Sequence, residues 1–287
     1  DKIGRCLASL RAIDLDASDY EVLFIDDYST DGTYELTQRA CIEQPTWRSL
    51  RLERNSGSPS RPRNRGIEEA KGEYIYFLDC DDELLPEALG KLLNIANRTD
   101  ACLVRSELIR DDGRERRRMN QIPEWAEAQA PAQRCELIIT RTSTVPNSFV
   151  KRSLLLQHRI RWPEHLRMGE DSVFLATVLS RAERIEYLPE PTYVYLKRPS
   201  LTPSSTQRYG ARELGDHLEV WTSVQKLMQP LGIDYFTCRL PVGLRVALES
   251  LIFRSCGDVD ASSFQKFHEF VALNWETIGK FSYTRRL

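Results

Sequence analysis

Asp79, Asp81 and Asp82 follow directly on an unbroken apolar and aromatic run, Tyr74-Ile75-Tyr76-Phe77-Leu78. Such a run reads as a strand buried on both faces. In open α/β sheets ligands bind in the crevice outside the carboxyl ends of the strands, which is where these acids would stand. Alternate carboxylates there can hold one hard divalent cation through oxygen and leave the rest of its octahedron to a phosphate-bearing substrate. The plainer alternative is a solvated turn opening the next helix, with Asp82 or Glu83 near its N-cap before Pro86. A second run, Tyr20-Glu21-Val22-Leu23-Phe24-Ile25, also ends in paired acids, Asp26 and Asp27. Farther on, Gly169 interrupts the chain and Glu170 and Asp171 open a helix, a place where acids also commonly complement the helix dipole.

The elements that must position these acids are legible from the pattern. Ile3, Cys6, Leu7 and Leu10 lie at helical spacing, so the chain opens inside an amphipathic helix. A doubly wound domain normally begins with a strand, so residues are expected before Asp1. After Asp27, Tyr28-Ser29-Thr30-Asp31-Gly32-Thr33 is a turn leading into a helix to about Ile42; residues 47–52 alternate as a short strand. A loop rich in breakers, residues 55–62, precedes a helix over residues 63–70, and the 74–78 strand follows. This order implies an α/β fold with a parallel sheet. Pro86 opens a helix to about Asn97, and residues 101–109 form another strand, ended by the hairpin signal Asp111-Asp112-Gly113. The arginines that follow, Arg114, Arg116, Arg117 and Arg118, read as a solvated face rather than an anion grip. Residues 119–136 suggest an excursion over the sheet, 153–158 a short helix, and 185–188 and 192–196 two short strands. From about Gln207, helical spacing recurs at Leu214, Leu218, Trp221, Val224 and Leu227, and again beyond, implying a helical extension over 207–287 behind a main domain of 1–206.

The totals exclude several classes. With 287 residues, 41% hydrophobic and 29% charged, the chain has a globular composition. No apolar run approaches the roughly 20 residues a membrane helix needs. A formal charge of −2 gives no support to a nucleic-acid partner. The seven cysteines lack a Cys-x-x-Cys pair, which points to reduced thiols, not zinc, and to a cytoplasmic protein.

Taken in order, Ile25-Asp26-Asp27-Tyr28-Ser29-Thr30-Asp31-Gly32-Thr33, Asn55-Ser56-Gly57 with Arg63-Asn64-Arg65-Gly66, Gly72-Glu73-Tyr74 through Asp79-Cys80-Asp81-Asp82, and Gly169-Glu170-Asp171 resemble the successive signatures of the family 2 inverting glycosyltransferases. The resemblance covers roughly residues 1–203. It implies an A-type nucleotide-sugar fold, Rossmann-like with a mostly parallel sheet. The stretch Gly57-Ser58-Pro59-Ser60-Arg61-Pro62-Arg63-Asn64, with the helical extension, is most similar to the branch acting on wall teichoic acid or related surface polymers.

By this resemblance, Asp26 or Asp27 would accept the uracil imide proton of a UDP-sugar, best read as UDP-GlcNAc or another UDP-hexose. Arg63, with Asn64 beside it, would face the base or the diphosphate. Asp79 would bind ribose hydroxyls or a metal-bound water, and Asp81 would coordinate Mg²⁺ or Mn²⁺. Asp171 is the candidate general base, with Glu170 either binding the acceptor or orienting Asp171. The acceptor would be a glycan or polyol-phosphate polymer, which implies proximity to the inner face of the cell membrane; the helical extension could also pair copies of the chain. Two departures stand out. The first strand of the family pattern is absent before Asp1. Where many members carry a histidine after a Tyr-x-Tyr, Tyr193-Val194-Tyr195 is followed here by Lys197 and Arg198. Arg198 would neutralise phosphate but cannot bind a metal, leaving the cation chiefly to Asp81 and the nucleotide. His158, His165, His217 and His268 match no motif position and read as structural. Competing readings are a nucleotidyltransferase, which lacks a Gly-rich triphosphate loop here, and a non-catalytic glycan-binding module.

Overall fold

The structure, a computed structural model, describes residues 2–197, 209–253 and 259–278. From the N-terminus, α1 (Lys2–Arg11) precedes β1 (Val22–Asp26), α2 (Thr33–Glu43) and β2 (Trp47–Arg51). Then come α3 (Ser60–Glu69), the short strands β3 (Tyr74–Ile75) and β4 (Glu83–Leu84), and α4 (Ala88–Thr99). A hairpin of β5 (Leu103–Asp111) and β6 (Arg116–Met119) leads through α5 (Pro131–Arg141) to β7 (Ser148–Lys151), α6 (Arg152–Gln157), α7 (Glu170–Leu179) and β8 (Ile185–Leu196). Helices α8 (Ala211–Met228), α9 (Tyr235–Cys238), α10 (Leu240–Phe253), α11 (Ala261–Leu273) and α12 (Trp275–Ile278) form the C-terminal region.

Strands β1 and β2 pair in parallel, which sets Asp26 level with Arg51. The larger sheet runs β3-β7-β5-β8-β4, with β6 on the free stretch of β5. Only β5 and β8 are parallel within it; the other pairings are antiparallel. The sheet is therefore mixed, where a mostly parallel one was expected. One cause is local: Gly113, at φ 84°, supplies the turn that folds β6 straight back on β5. Residues 185–196, expected as two strands, form one. Ser106 faces Leu188 and Glu107 faces Pro191, so residues 189 and 190 bulge out and the strand continues. The run 74–78 is no full ladder either: Tyr74 and Ile75 alone pair, with Lys151 and Val150. Aromatic hydroxyls hold the rest, Tyr74 Oη donating to Ala101 O at 3.1 Å and Tyr76 Oη meeting Thr192 Oγ1 at 3.1 Å.

The arginines of the hairpin are a solvated face, as expected: Arg116, Arg117 and Arg118 pair with Asp111, Glu115 and Glu107. The main core is continuous from the sheet into the C-terminal region, joining Ile138, Leu155, Trp162 and Ile185 to Trp221, Val224 and Leu240. Burying such side chains contributes about 1.5–3 kcal/mol each, so α8 and α10 are held to the main sheet by the same force that forms it. Among the described residues no helix is long and apolar enough to cross a membrane.

Candidate active site

The acidic turn after residues 74–78 is clamped by the last strand. Asp82 N–H donates back to Asp79 O at 3.0 Å, closing the turn. The Asp82 carboxylate, buried, accepts from Tyr193 Oη at 2.6 Å and from Leu196 N at 2.7 Å, while Asp79 N–H donates to Tyr193 Oη at 3.3 Å. Burial pushes Asp82 up to about 7, against the pull of those two hydrogen bonds. Asp82 is thus the anchor of the turn. Asp79 remains partly exposed, its side chain 36% accessible, and Asp81 is half-buried.

Arg63 joins this turn to the helix-borne acids. It projects from α3, whose neighbouring Asn64 is buried and faces inward: Trp162 N–H donates to Asn64 Oδ1 at 2.8 Å, and Asn64 Nδ2 donates to Trp162 O at 2.9 Å and to Glu164 Oε1 at 2.9 Å. That two-way clamp seats the Trp162 indole against Arg63, the guanidinium lying 4.2 Å from the ring centroid. Trp162 stacks in turn on Phe174 of α7 at 4.0 Å, and Phe77 meets both rings edge-on. One aromatic cluster thereby joins the acidic turn, the 160s loop and α7. Arg63 Nη2 contacts Asp79 Oδ1 at 2.6 Å, and Nη1 lies 3.6 Å from Glu170 Oε1. Burial works against its charge, but Asp79, Glu170 and Asp171 outweigh it and hold the guanidinium above its ordinary pKa.

Glu170 and Asp171 owe their placement to Gly169, at φ 78°, where an added Cβ would stand 2.9 Å from Val220 Cγ2 of α8. Burial raises the pKa of both acids, Glu170 to about 7, with the neighbouring Asp171 charge adding and Arg63 opposing. Asp171 Oδ2 accepts from Thr144 Oγ1 at 2.7 Å and Oδ1 from Ser172 N at 2.7 Å. Both hydrogen bonds favour its ionised form. The two acids line a cleft of about 370 Å³ whose opposite wall includes His217, Trp221, Tyr235 and Val246 from the C-terminal helices. His217 is held by Tyr209 Oη at 2.8 Å, stacks on Trp221, and is pushed down to about 4 by burial, so it stands there neutral.

At the end of β1, Asp26 is buried, accepts from Ser29 N at 3.0 Å and pairs with Arg51 Nε at 3.2 Å. Arg51 also donates to Ser29 O and lies over the rings of Tyr28 and Tyr34. Asp27 is more accessible and accepts from Ser56 N at 3.0 Å and Ser56 Oγ at 2.9 Å, holding the loop that leads into α3.

Of the residues singled out from sequence, Arg63, Asp79, Glu170 and Asp171 thus meet in one network, with Asp81 on the same turn. Asp26 and Asp27 stand at a separate strand end, joined to it through the 55–60 loop, and Asn64 turns inward. Arg198 lies outside the described residues. Sequence reasoning missed Arg51, Asp82, Thr144 and Trp162; a signal existed only for Asp82, in the Tyr193-Val194-Tyr195 strand that reaches it. Among the described residues no three His, Cys, Asp or Glu side chains gather to hold a metal ion. The donor set instead suits a cation shared between Asp81 and substrate phosphates, the usual way Mg²⁺ is held.

Acids at strand ends, a parallel strand pair beside a mixed sheet, and flanking helices define the A-type nucleotide-sugar transferase fold. The same fold is seen in Staphylococcus aureus TarS 1-349 in complex with UDP-GlcNAc, at TM-score 0.68 and 22% identity over 86% of this chain and 73% of that one. A mannosyltransferase from Pyrobaculum calidifontis, in complex with GDP-Man and Mn2+, aligns at TM-score 0.54 and 13% identity over 99% of this chain and 78% of that one. Residues 1–159 match the glycosyl transferase family 2 model, and the chain belongs to that family. It is 30% identical over 198 residues to a poly(ribitol-phosphate) beta-glucosyltransferase of Bacillus spizizenii, covering 68% of this chain and 30% of that protein. Similarity to the S. aureus poly(ribitol-phosphate) beta-N-acetylglucosaminyltransferase TarS is 27% over 197 residues, or 67% of this chain and 33% of that one. The chain therefore spans about a third of the length of these curated relatives.

Proposed function

We propose that this chain is the catalytic part of an inverting transferase that moves a sugar from a UDP-sugar to a hydroxyl of a polyol-phosphate or glycan polymer. The observation that carries the reading is the Arg63 bridge, which brings a donor-side acid, Asp79, and the helix acids, Glu170 and Asp171, to one place beside a cleft. The relatives that act on poly(ribitol-phosphate) support the polymer acceptor. In the reaction, the acceptor oxygen approaches through the cleft and bonds to the anomeric carbon from the face opposite the nucleotide. The bond from that carbon to the diphosphate breaks, with its electron pair leaving on UDP, and Asp171 takes the acceptor proton. Thr144 and Ser172 N–H keep Asp171 ionised and oriented for this. Glu170, nearer to neutral, is suited to donate a hydrogen bond to an acceptor oxygen. Asp27, the more accessible of its pair, faces the uracil, while Asp26 braces the loop. Mg²⁺ or Mn²⁺ held by Asp81 and the donor phosphates would offset charge on the departing diphosphate.

The test is titration of UDP, with and without Mn²⁺, on wild type and Asp81→Ala, with transfer assayed for wild type and Asp171→Ala across a panel of UDP-sugars. The expected result is metal-dependent UDP binding lost in Asp81→Ala, and transfer lost in Asp171→Ala with UDP affinity retained. Transfer undiminished in Asp171→Ala would reject the assigned base.

A further inference from the structure

Arg105 is an unexpected residue for the middle of β5. It is 1% exposed, paired across the sheet with Ser148 of β7 and Tyr187 of β8. Its guanidinium does not sit on a carboxylate. Nη1 donates to Val145 O at 2.8 Å and Ser148 Oγ at 3.0 Å, Nη2 donates to Ser143 O at 2.6 Å, and Nε is buried with no hydrogen-bond partner. Burial draws its pKa down to about 10. An apolar side chain would fill this position without the desolvation cost of a cation, which in proteins amounts to several kcal/mol. What the arginine organises is the segment 143–148, and that segment carries Thr144, whose hydroxyl donates to Asp171 Oδ2 at 2.7 Å. Arg105, Thr144 and Asp171 also line one small cavity of about 20 Å³, walled otherwise by groups such as Phe77, Pro146, Trp162 and Phe174. In so apolar an enclosure a cation and a carboxylate act on each other far more strongly than in water.

We infer that Arg105 is a positioning residue for the general base: by gathering the 143 and 145 carbonyls it delivers the Thr144 hydroxyl to Asp171, and its charge keeps that carboxylate ionised. The inference rests on Asp171 being the base. The other groups that bear on Asp171 are Glu170 on its own helix, Arg63 on α3, Asp79 at the acidic turn, neutral His217 on α8, Tyr235 on α9, and Arg239 and Arg167 on the cleft wall. Arg63 also serves the donor-side acid Asp79, whereas Arg105 has its hydrogen bonds in the segment that carries Thr144.

The test compares Arg105→Met, Thr144→Val and Thr144→Ser with wild type in kcat, donor KM, UDP affinity and the pH profile of kcat. A base must be ionised, so losing a group that favours its ionised form raises its pKa and moves the acidic limb to higher pH. The expected result for Arg105→Met and Thr144→Val is kcat lower by about tenfold or more at neutral pH, an acidic limb moved up by about one pH unit, and donor KM and UDP affinity unchanged. Thr144→Ser restores the wild-type profile. An unmoved limb in Thr144→Val overturns the inference, and decides the matter alone if Arg105→Met does not fold. Parallel losses of kcat and UDP affinity in Arg105→Met with the limb in place would also overturn it, marking Arg105 as a support of the sheet. Asp171→Ala, measured alongside, separates failure of the base assignment, in which it keeps transfer, from failure of the inference.

Discussion

Gly169→Ala is the change that most directly tests how the fold places its chemistry. The perturbation has two separable parts. At φ 78° the backbone lies in the left-handed region, which costs an L-residue about 1–2 kcal/mol. The new Cβ would also stand 2.9 Å from Val220 Cγ2 and 3.2 Å from Cγ1, closer than van der Waals contact permits. Val220 is 3% exposed on α8 and, being β-branched, has one strongly preferred rotamer in a helix, so it cannot turn aside. Overpacking of that kind costs about 1–3 kcal/mol, and the sum is about 2–5 kcal/mol. Urea unfolding should show a lower midpoint with an unchanged slope, and transfer should fall further than stability because Glu170 and Asp171 move with the helix start. Adding Val220→Ala removes the clash and leaves the backbone strain. The double-mutant cycle should therefore give a favourable coupling of about 1–3 kcal/mol and a residual deficit of about 1–2 kcal/mol. Additive effects would refute the clash, and a wild-type midpoint in Gly169→Ala alone would refute both parts.

Glu170→Gln should flatten the pH dependence of stability. Burial and the Asp171 charge raise the folded-state pKa of Glu170 from 4.5 to about 7, so folding binds this proton more tightly and wild-type stability declines as pH rises from about 4.5 through 7. Chemical denaturation across that window measures the slope, and a slope unchanged in the variant would show that Glu170 titrates as it does in the unfolded chain. Asn64→Ala strands the N–H and carbonyl of Trp162, and should cost about 2–3 kcal/mol of stability. With it kcat should drop while UDP affinity changes by less than about threefold, since the side chain faces inward. A large loss of UDP affinity at unchanged stability would instead make Asn64 a nucleotide contact.

What was legible in the sequence was what local pattern encodes. The acids at two strand ends, the helix beginning at Glu170 and the turn at Asp111-Asp112-Gly113 each follow from a run of apolar residues meeting a breaker, and each is found in place. What pattern does not encode is which strand lies beside which. The 74–78 run reads as a full strand because it is apolar throughout, yet its neighbour β7 is only four residues long and pairs with two of its residues, leaving aromatic hydroxyls to anchor the rest. Side-chain direction is equally hidden. Arg63 and Asn64 are adjacent on one helix, and only the fold reveals that one meets Asp79 while the other clamps a backbone segment about a hundred residues downstream.

The same contrast explains how the site is held. The acids that would do chemistry occupy ends, of a strand run and of a helix, where side chains reach a crevice but few neighbours constrain them. Their relative spacing is set by groups that no acidic motif contains: Tyr193 and Leu196 N–H on Asp82, Trp162 between Phe77 and Phe174, and Arg105 behind Thr144. Each of these is buried or bonded from two or more elements distant in sequence, so that moving one acid requires moving a packed cluster. Arg63 is the exception that joins the two acid sets directly, and its 3.6 Å separation from Glu170, against 2.6 Å to Asp79, makes it firm on the donor side and adjustable on the other. Charge arriving beside Asp79 with a nucleotide diphosphate would compete for that guanidinium and weaken its hold on Glu170. On the proposed mechanism, donor binding would thereby raise the proton affinity of Glu170 and favour the neutral form suited to donating a hydrogen bond to the acceptor.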